Sequence, residues 1–113
     1  MHKIKELKIW NKAIDLTVKV YKATENFPTE EKYGLTSQIR RSAVSVPSNI
    51  SEGAGRNTKG EFKQFLGIAN GSAGELETQI LLAEEEYKHI DFTKAEGLVI
   101  EVQKMLHSMI IRM

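Results

Sequence analysis

The chain contains no cysteine. Thiol nucleophiles, disulfide frameworks and cysteine-ligated zinc sites are therefore excluded. It has only 2 proline residues, and aromatic residues make up 7% of the composition. No apolar run approaches the roughly 20 residues that span a bilayer, and the N-terminal residues lack the apolar core of a secretory signal. We therefore expect a cytoplasmic protein without a membrane segment.

The composition is that of a folded protein. The 113 residues are 41% hydrophobic and 27% charged, which differs from the composition of disordered and low-complexity chains. This length suffices for one continuous core. We expect a single domain over residues 1–113.

The charge is unevenly distributed along the chain. The net charge is +1, but residues 1–63 carry 12 basic and 7 acidic side chains, and residues 64–113 carry 4 basic and 8 acidic ones. This asymmetry favours an anionic partner or self-association through unlike faces. Solvated helix faces of different composition would also produce it.

Apolar residues recur with helical spacing in four segments, and none alternates with the period of a strand. The segments cover residues 7–24, 30–53, 59–88 and 92–112. The apolar face of the first helix is predicted to contain Trp10, Ile14, Thr17 and Tyr21, with Leu7 and Val18 beside them. The predicted stripe of the second helix is Leu35, Ile39, Ala43, Val46 and Ile50, and that of the third is Phe62, Leu66, Ala69, Ala73, Leu76, Ile80, Ala83 and Tyr87. Short connections between the segments predict an all-α, antiparallel, up-down-up-down four-helix bundle.

The ends of these segments carry recognisable capping residues. Thr29, Thr58 and Asp91 are predicted N-caps, and Thr58 with Glu61 has the spacing of a capping box. Pro47 lies inside the second segment, where it removes a backbone donor, so we expect a kink or a break there.

The third helix contains three glycines at helical spacing, Gly67, Gly71 and Gly74, on the side away from its apolar stripe. Each glycine costs about 1 kcal/mol relative to alanine in a helix interior. Close packing of a second subunit would explain them, and we predict an oligomer interface there. Neutral drift in a helix that is stabilised by its core is the alternative.

No catalytic or metal-binding set is complete. A di-iron bundle needs two Glu-x-x-His motifs, and only Glu86 with His89 offers one. Ser42, Ser45, Ser48 and Ser51 recur every three residues without a paired base. Hydrogen bonding near Pro47 explains these hydroxyls more simply. We predict no catalytic residue, no metal, no cofactor and no enzymatic activity.

Residues 53–60 form the most suggestive segment. They are rich in glycine, carry Arg56 and Lys59, and precede a helix N-terminus, with Lys63 one turn further on. Backbone donors at a helix N-terminus favour anions. Together with Arg40 and Arg41, these residues are predicted to contact nucleic-acid phosphates. A helix C-cap followed by an N-cap is the structural alternative.

Residues 38–53, which contain the run Pro-Ser-Asn-Ile-Ser-Glu-Gly, closely resemble the family of 23S ribosomal RNA intervening-sequence proteins. The resemblance continues through Trp10 to Ala13, Phe27-Pro28, Phe65-Leu66 and residues 69–77, and so covers nearly the whole chain.

The resemblance implies a bacterial, cytoplasmic four-helix bundle that assembles as a homopentamer. Some relatives are encoded within ribosomal RNA genes, and a related branch comprises accessory proteins of diversity-generating retroelements. No catalytic residue is carried over. We therefore expect a non-enzymatic homo-oligomer that binds RNA or other nucleic acid through Arg40, Arg41, Arg56, Lys59 and Lys63. The alternative is a protein-interaction scaffold with no nucleic-acid affinity.

Overall fold

Four helices form the molecule in a computed structural model that describes residues 3–113. They are α1 (Lys8–Thr24), α2 (Leu35–Ala54), α3 (Lys59–Glu86) and α4 (Thr93–Arg112), with 3₁₀ turns at Ile4–Glu6 and Thr29–Glu31. The main contacts join α1 to α2, α2 to α3, α3 to α4 and α4 to α1, so α1 and α3 lie diagonally across the bundle. The predicted all-α four-helix bundle is confirmed.

Two of the predicted helix starts differ in detail. The second helix begins at Leu35, and Thr29 lies in a separate 3₁₀ turn. The Glu31 carboxylate accepts a hydrogen bond from the Leu35 backbone N–H at 3.3 Å, so Glu31 rather than Thr29 serves the start of α2. The fourth helix begins at Thr93, with Phe92 rather than Asp91 in the N-cap position. The Asp91 carboxylate accepts from the Thr93 N–H at 2.9 Å, and hydrogen bonding by the Thr93 side chain and backbone lowers the pKa of the Asp91 carboxyl.

The core runs the length of the bundle and confirms the predicted stripes of α2 and α3, except that Leu35 and Tyr87 at their ends are only partly buried. The predicted face of α1 was wrong in its centre, although Leu7 and Trp10 at its start are partly buried against the core. Its buried residues are Ile9, Ala13, Leu16, Val20 and Thr24. Ile14, Val18 and Tyr21 are instead exposed, by 36%, 43% and 40%.

Pro47 does not break α2, which is continuous from Leu35 to Ala54. A proline at this position leaves the carbonyl four residues earlier, that of Ala43, without its helical donor. The Thr17 hydroxyl of α1 supplies a replacement, since its Oγ1 lies 3.1 Å from the Ala43 carbonyl oxygen and 2.8 Å from that of Ala13. The interruption in α2 is therefore repaired by the neighbouring helix.

Gly53 lies where α2 crosses α3. A Cβ at this position would lie 2.7 Å from the Cβ of Phe65 and 3.2 Å from the carbonyl oxygen of Phe62. No alanine fits there without a shift of the backbone. Gly53 is thus a packing residue inside α2, and the helix ends one residue later, at Ala54.

Two hydroxyl contacts accompany this crossing. Ser45 and Ser72 share a hydrogen bond of 2.8 Å between their Oγ atoms, and Ser42 donates to Glu75 at 2.8 Å. The serines of α2 that face α3 therefore form a structural polar seam.

We expect the Gly53→Ala variant to lose about 1–3 kcal/mol of unfolding free energy, because the added methyl overpacks the contact between α2 and α3. Urea denaturation measures this loss. Gly55→Ala is the matched control, since the atoms nearest to its Cβ are 3.7 Å away, and its stability should change by less than about 1 kcal/mol. Equal stabilities of the two variants would contradict the packing role of Gly53.

The bond from Thr17 to Ala43 can be tested with a double-mutant cycle. Thr17→Val removes the hydroxyl and should lower the unfolding free energy by about 1–2 kcal/mol. In a Pro47→Ala background, the N–H of residue 47 can donate to the Ala43 carbonyl, so the same substitution should cost about 1 kcal/mol less. An identical cost in both backgrounds would show that the hydroxyl does not compensate for the proline.

Candidate nucleic-acid interface

The five basic residues predicted from the sequence lie in two places. Arg40 and Arg41 occupy the first half of α2, whereas Arg56, Lys59 and Lys63 lie at the turn into α3 and in its first turns. From Arg41 to the end of α2 at Ala54 the helix rises about 20 Å, at about 1.5 Å per residue. We call Arg56, Lys59 and Lys63 the turn cluster.

Arg40 is fixed against the C-terminal end of α1. Its Nε donates to the Thr24 hydroxyl at 2.8 Å and its Nη2 to the Tyr21 carbonyl at 3.2 Å. The guanidinium carbon lies 4.5 Å from the centre of the Tyr21 ring. The cation also complements the negative end of the α1 dipole. Arg40 therefore has a structural role, and its guanidinium is held in one orientation.

Arg41 differs from its neighbour because it is exposed and forms no ion pair within residues 3–113. It lies in an open groove of about 640 Å³ between α1 and α2. Nine residues line this groove: Tyr21, Lys32, Tyr33, Thr36, Ser37, Arg40, Arg41, Val44 and Ser45. Three of them are cationic and none is acidic. We call Tyr21, Lys32, Tyr33, Arg40 and Arg41 the groove patch.

The turn cluster is less electropositive. Arg56 Nη2 lies 2.7 Å from a Glu52 carboxylate oxygen, and its Nη1 lies 3.9 Å from one of Glu61. The Thr58 hydroxyl already accepts from the Glu61 N–H at 3.1 Å, which confirms the predicted cap. The helix N-terminus that was expected to hold a phosphate is thus partly satisfied by its own residues. Lys59 and Lys63 remain exposed.

Lys8 and Lys12 of α1 do not extend the groove patch. Lys12 pairs with Glu101 of α4 at 3.0 Å, and Lys8 lines a groove together with Met105 and Lys104 of α4. These cations therefore face α4 and lie away from Arg40 and Arg41.

The opposite end of α3 is acidic. Glu84, Glu85 and Asp91 line a shallow depression between α3 and α4, together with Lys88 and His89, and burial together with the nearby Glu96 raises the pKa of the Glu84 carboxyl. Such a surface disfavours phosphate. Within residues 3–113, no three histidine or acidic side chains are grouped so as to hold a metal ion.

The glycines at positions 67, 71 and 74 of α3 face outward. A Cβ on Gly67 or Gly71 would meet no atom within 4 Å, and one on Gly74 would meet only the Gln103 amide at 3.9 Å. Packing within the chain therefore does not require glycine at these positions. The exposed side chains of Leu81 and Leu82 follow further along the helix.

Sequence reasoning missed three members of the groove patch. Tyr21 was assigned to the apolar face of α1, while Lys32 and Tyr33 fell within a segment predicted to be helical. The adjacent basic and aromatic residues Lys32 and Tyr33, eight positions before Arg40 and Arg41, were the available signal.

An all-α bundle with two basic surfaces is the class of protein that the fold and these residues define. Residues 5–108 match the model of the 23S rRNA-intervening sequence protein family, and the chain belongs to that family. No helix among residues 3–113 is long and apolar enough to cross a membrane.

One solved structure is similar to the chain over most of its length. It is a protein with unknown function from the S23 ribosomal protein family of Bacteroides thetaiotaomicron. The two are 25% identical, with a TM-score of 0.79, and the match covers 90% of this chain and 97% of the other. The search of curated proteins gives no match. Neither the family's description nor that of the solved structure assigns an activity.

Proposed function

We propose that this protein is a non-enzymatic, cytoplasmic homo-oligomer that binds RNA or DNA through phosphate contacts. The observation that carries the proposal is the groove patch, in which Lys32, Arg40 and Arg41 line one groove without an acidic side chain. Polyanions are attracted by such surfaces through release of their counterions. The family's name, which refers to 23S rRNA, favours RNA.

Within this proposal the two basic surfaces contribute unequally. Arg41 has no carboxylate partner among the described residues, whereas Arg56 is paired with Glu52 and lies near Glu61. The carboxylates of Glu52 and Glu61 offset part of the positive charge at the turn, so we treat the turn cluster as a secondary contact. A nucleic acid that follows α2 would reach both surfaces.

We expect Arg41→Gln to weaken binding to every sequence and to reduce the slope of log K against log salt by about 1. A Lys59→Gln/Lys63→Gln variant should reduce both quantities less per charge if the turn cluster is secondary. Fluorescence anisotropy with a structured RNA and a DNA duplex at several salt concentrations measures both effects.

The control for charge alone is Lys19→Gln, because the Lys19 ammonium pairs with Asp15 at 2.8 Å, outside both surfaces. It should bind as the wild type does. The absence of binding at low salt would contradict the proposal.

The homo-oligomer is proposed on the glycines of α3. Gly67 and Gly71 have open space around them, although glycine destabilises a helix interior. A second copy approaching closely would use that space. A ring of five, as the family resemblance implies, needs two unlike contact faces, and the exposed Ile14 and Val18 of α1 offer the second.

We expect Gly71→Leu to lower the mass in solution towards that of the 12.8 kDa monomer, because the new side chain would obstruct the approach of a second copy. Light scattering measures the mass, and circular dichroism checks that the bundle is intact. An unchanged mass would overturn this interface.

A protein-interaction scaffold is the second candidate, and the exposed apolar side chains of Leu81 and Leu82, at 49% and 59%, favour it. Such a scaffold would show no salt-dependent affinity for nucleic acid, so the anisotropy experiment separates the two functions.

A further inference from the structure

The exposed aromatic residues of this protein lie in one place. Phe27, Phe62 and Phe92 are buried in the core, and Trp10, Phe65 and Tyr87 are partly buried. Only Tyr33 and Tyr21 are exposed, by 88% and 40%, and both line the groove patch. No aromatic residue lies outside the described part of the chain. The clustering therefore calls for an explanation specific to the groove.

A core role does not explain Tyr33. It lies between the 3₁₀ turn Thr29–Glu31 and the start of α2, and it is almost fully exposed to water. The Lys32 ammonium lies 5.4 Å from the centre of its ring, a contact worth little at an exposed site. The ring is thus available to a flat partner.

Tyr21 is held differently. The Arg40 guanidinium is fixed by Thr24 and by the Tyr21 carbonyl, and it covers the Tyr21 ring at 4.5 Å. Both guanidinium planes and aromatic rings are surfaces on which nucleobases stack. The groove patch therefore presents one exposed ring and one fixed cation–aromatic pair.

The remaining groups of the groove fit the rest of a nucleotide. Arg41 and Lys32 supply positive charge, and Thr36 and Ser37 supply hydroxyl groups. The groove volume of about 640 Å³ lies within the range of small-molecule sites, about 300–1,000 Å³. The absence of acidic side chains among the lining residues matches the charge of a phosphodiester.

We propose that the groove patch binds an unpaired nucleotide, with its base stacked on Tyr33 beside the Tyr21–Arg40 pair and its phosphates contacted by Arg41 and Lys32. This inference rests on the proposed function and narrows it to single-stranded segments. Bases in a duplex are already stacked on one another, so their faces cannot reach the ring. Any base can stack on an aromatic ring. We therefore expect the protein to prefer single strands over duplexes, without a preference for a particular base sequence.

The test compares Tyr33→Leu with Tyr33→Phe, which keeps the ring and loses only the hydroxyl. The probes are a labelled oligoadenylate RNA, its DNA equivalent, an abasic strand of the same length and a perfect duplex. Tyr33→Leu should weaken binding to the two base-bearing strands by roughly 5- to 150-fold. Tyr33→Phe should bind them as the wild type does. Comparison of the RNA and DNA strands distinguishes the two sources of unpaired bases.

Further arms separate stacking from electrostatics. Tyr33→Leu should leave both the abasic-strand affinity and the salt dependence unchanged, because the phosphate contacts remain. Arg41→Gln should weaken the base-bearing and abasic strands alike. A strand with 2-aminopurine in place of one adenine should show fluorescence quenching on binding to the wild type and not to Tyr33→Leu.

Three results would overturn the stacking proposal. The first is that Tyr33→Leu binds the base-bearing strands as tightly as the wild type does. If Arg41→Gln still weakens binding to these strands, the proposed phosphate contacts stand without the stacking. The second is an equal loss for base-bearing and abasic strands. The third is a change in solution mass for Tyr33→Leu, which would assign the groove to a protein contact. If the wild type binds none of the probes, both the stacking and the proposed function are wrong.

Discussion

The close approach of α2 and α3 is the constraint on which the rest of the bundle depends. Gly53 allows the two backbones to meet, and the contacts between Ser45 and Ser72 and between Ser42 and Glu75 continue along the same pair. This is the most extensive helix pair of the structure. Because packing against α3 occupies one side of α2, the arginines of α2 lie on the side that faces α1 and on the outer face.

That placement gives the basic residues their different characters. Arg40, on the α1 side, becomes part of the packing by binding Thr24 and covering Tyr21. Arg41, one residue on, points away from the core and keeps its charge available. Arg56 lies beyond the helix end, where carboxylates on either side of the turn offset it. A count of positive residues weighs these three arginines equally, but their surroundings do not.

The sequence predicted the four helices and the buried stripes of α2 and α3, because apolar spacing and the Thr58 cap are local signals. It misassigned the face of α1 for a physical reason. Trp10, Ile14, Thr17 and Tyr21 have the same spacing as Ile9, Ala13, Leu16 and Val20, so periodicity cannot distinguish the two stripes. What decides between them is tertiary, since packing in the bundle buries the stripe of Ile9, Ala13, Leu16 and Val20.

The groove patch could not be predicted for a related reason. Its members come from α1, a turn and α2, and no helical period connects Tyr33 with Arg40. A continuous helix was predicted from residue 30, but the chain forms a 3₁₀ turn at Thr29–Glu31 and α2 begins only after Gly34. Tyr33 therefore lies in the connection that precedes α2. Periodicity identifies faces of single helices, whereas this surface is made by the junction of three elements.

The bond between Thr17 and Ala43 also bears on how the bundle assembles. Because the donor that completes the middle of α2 belongs to α1, α2 in isolation keeps an unpaired carbonyl beside its proline. Its central turns become fully hydrogen-bonded only when the two helices meet in the correct register. The Thr17 hydroxyl thereby couples the hydrogen bonding of α2 to its alignment with α1, since a misaligned pair leaves the Ala43 carbonyl without this donor.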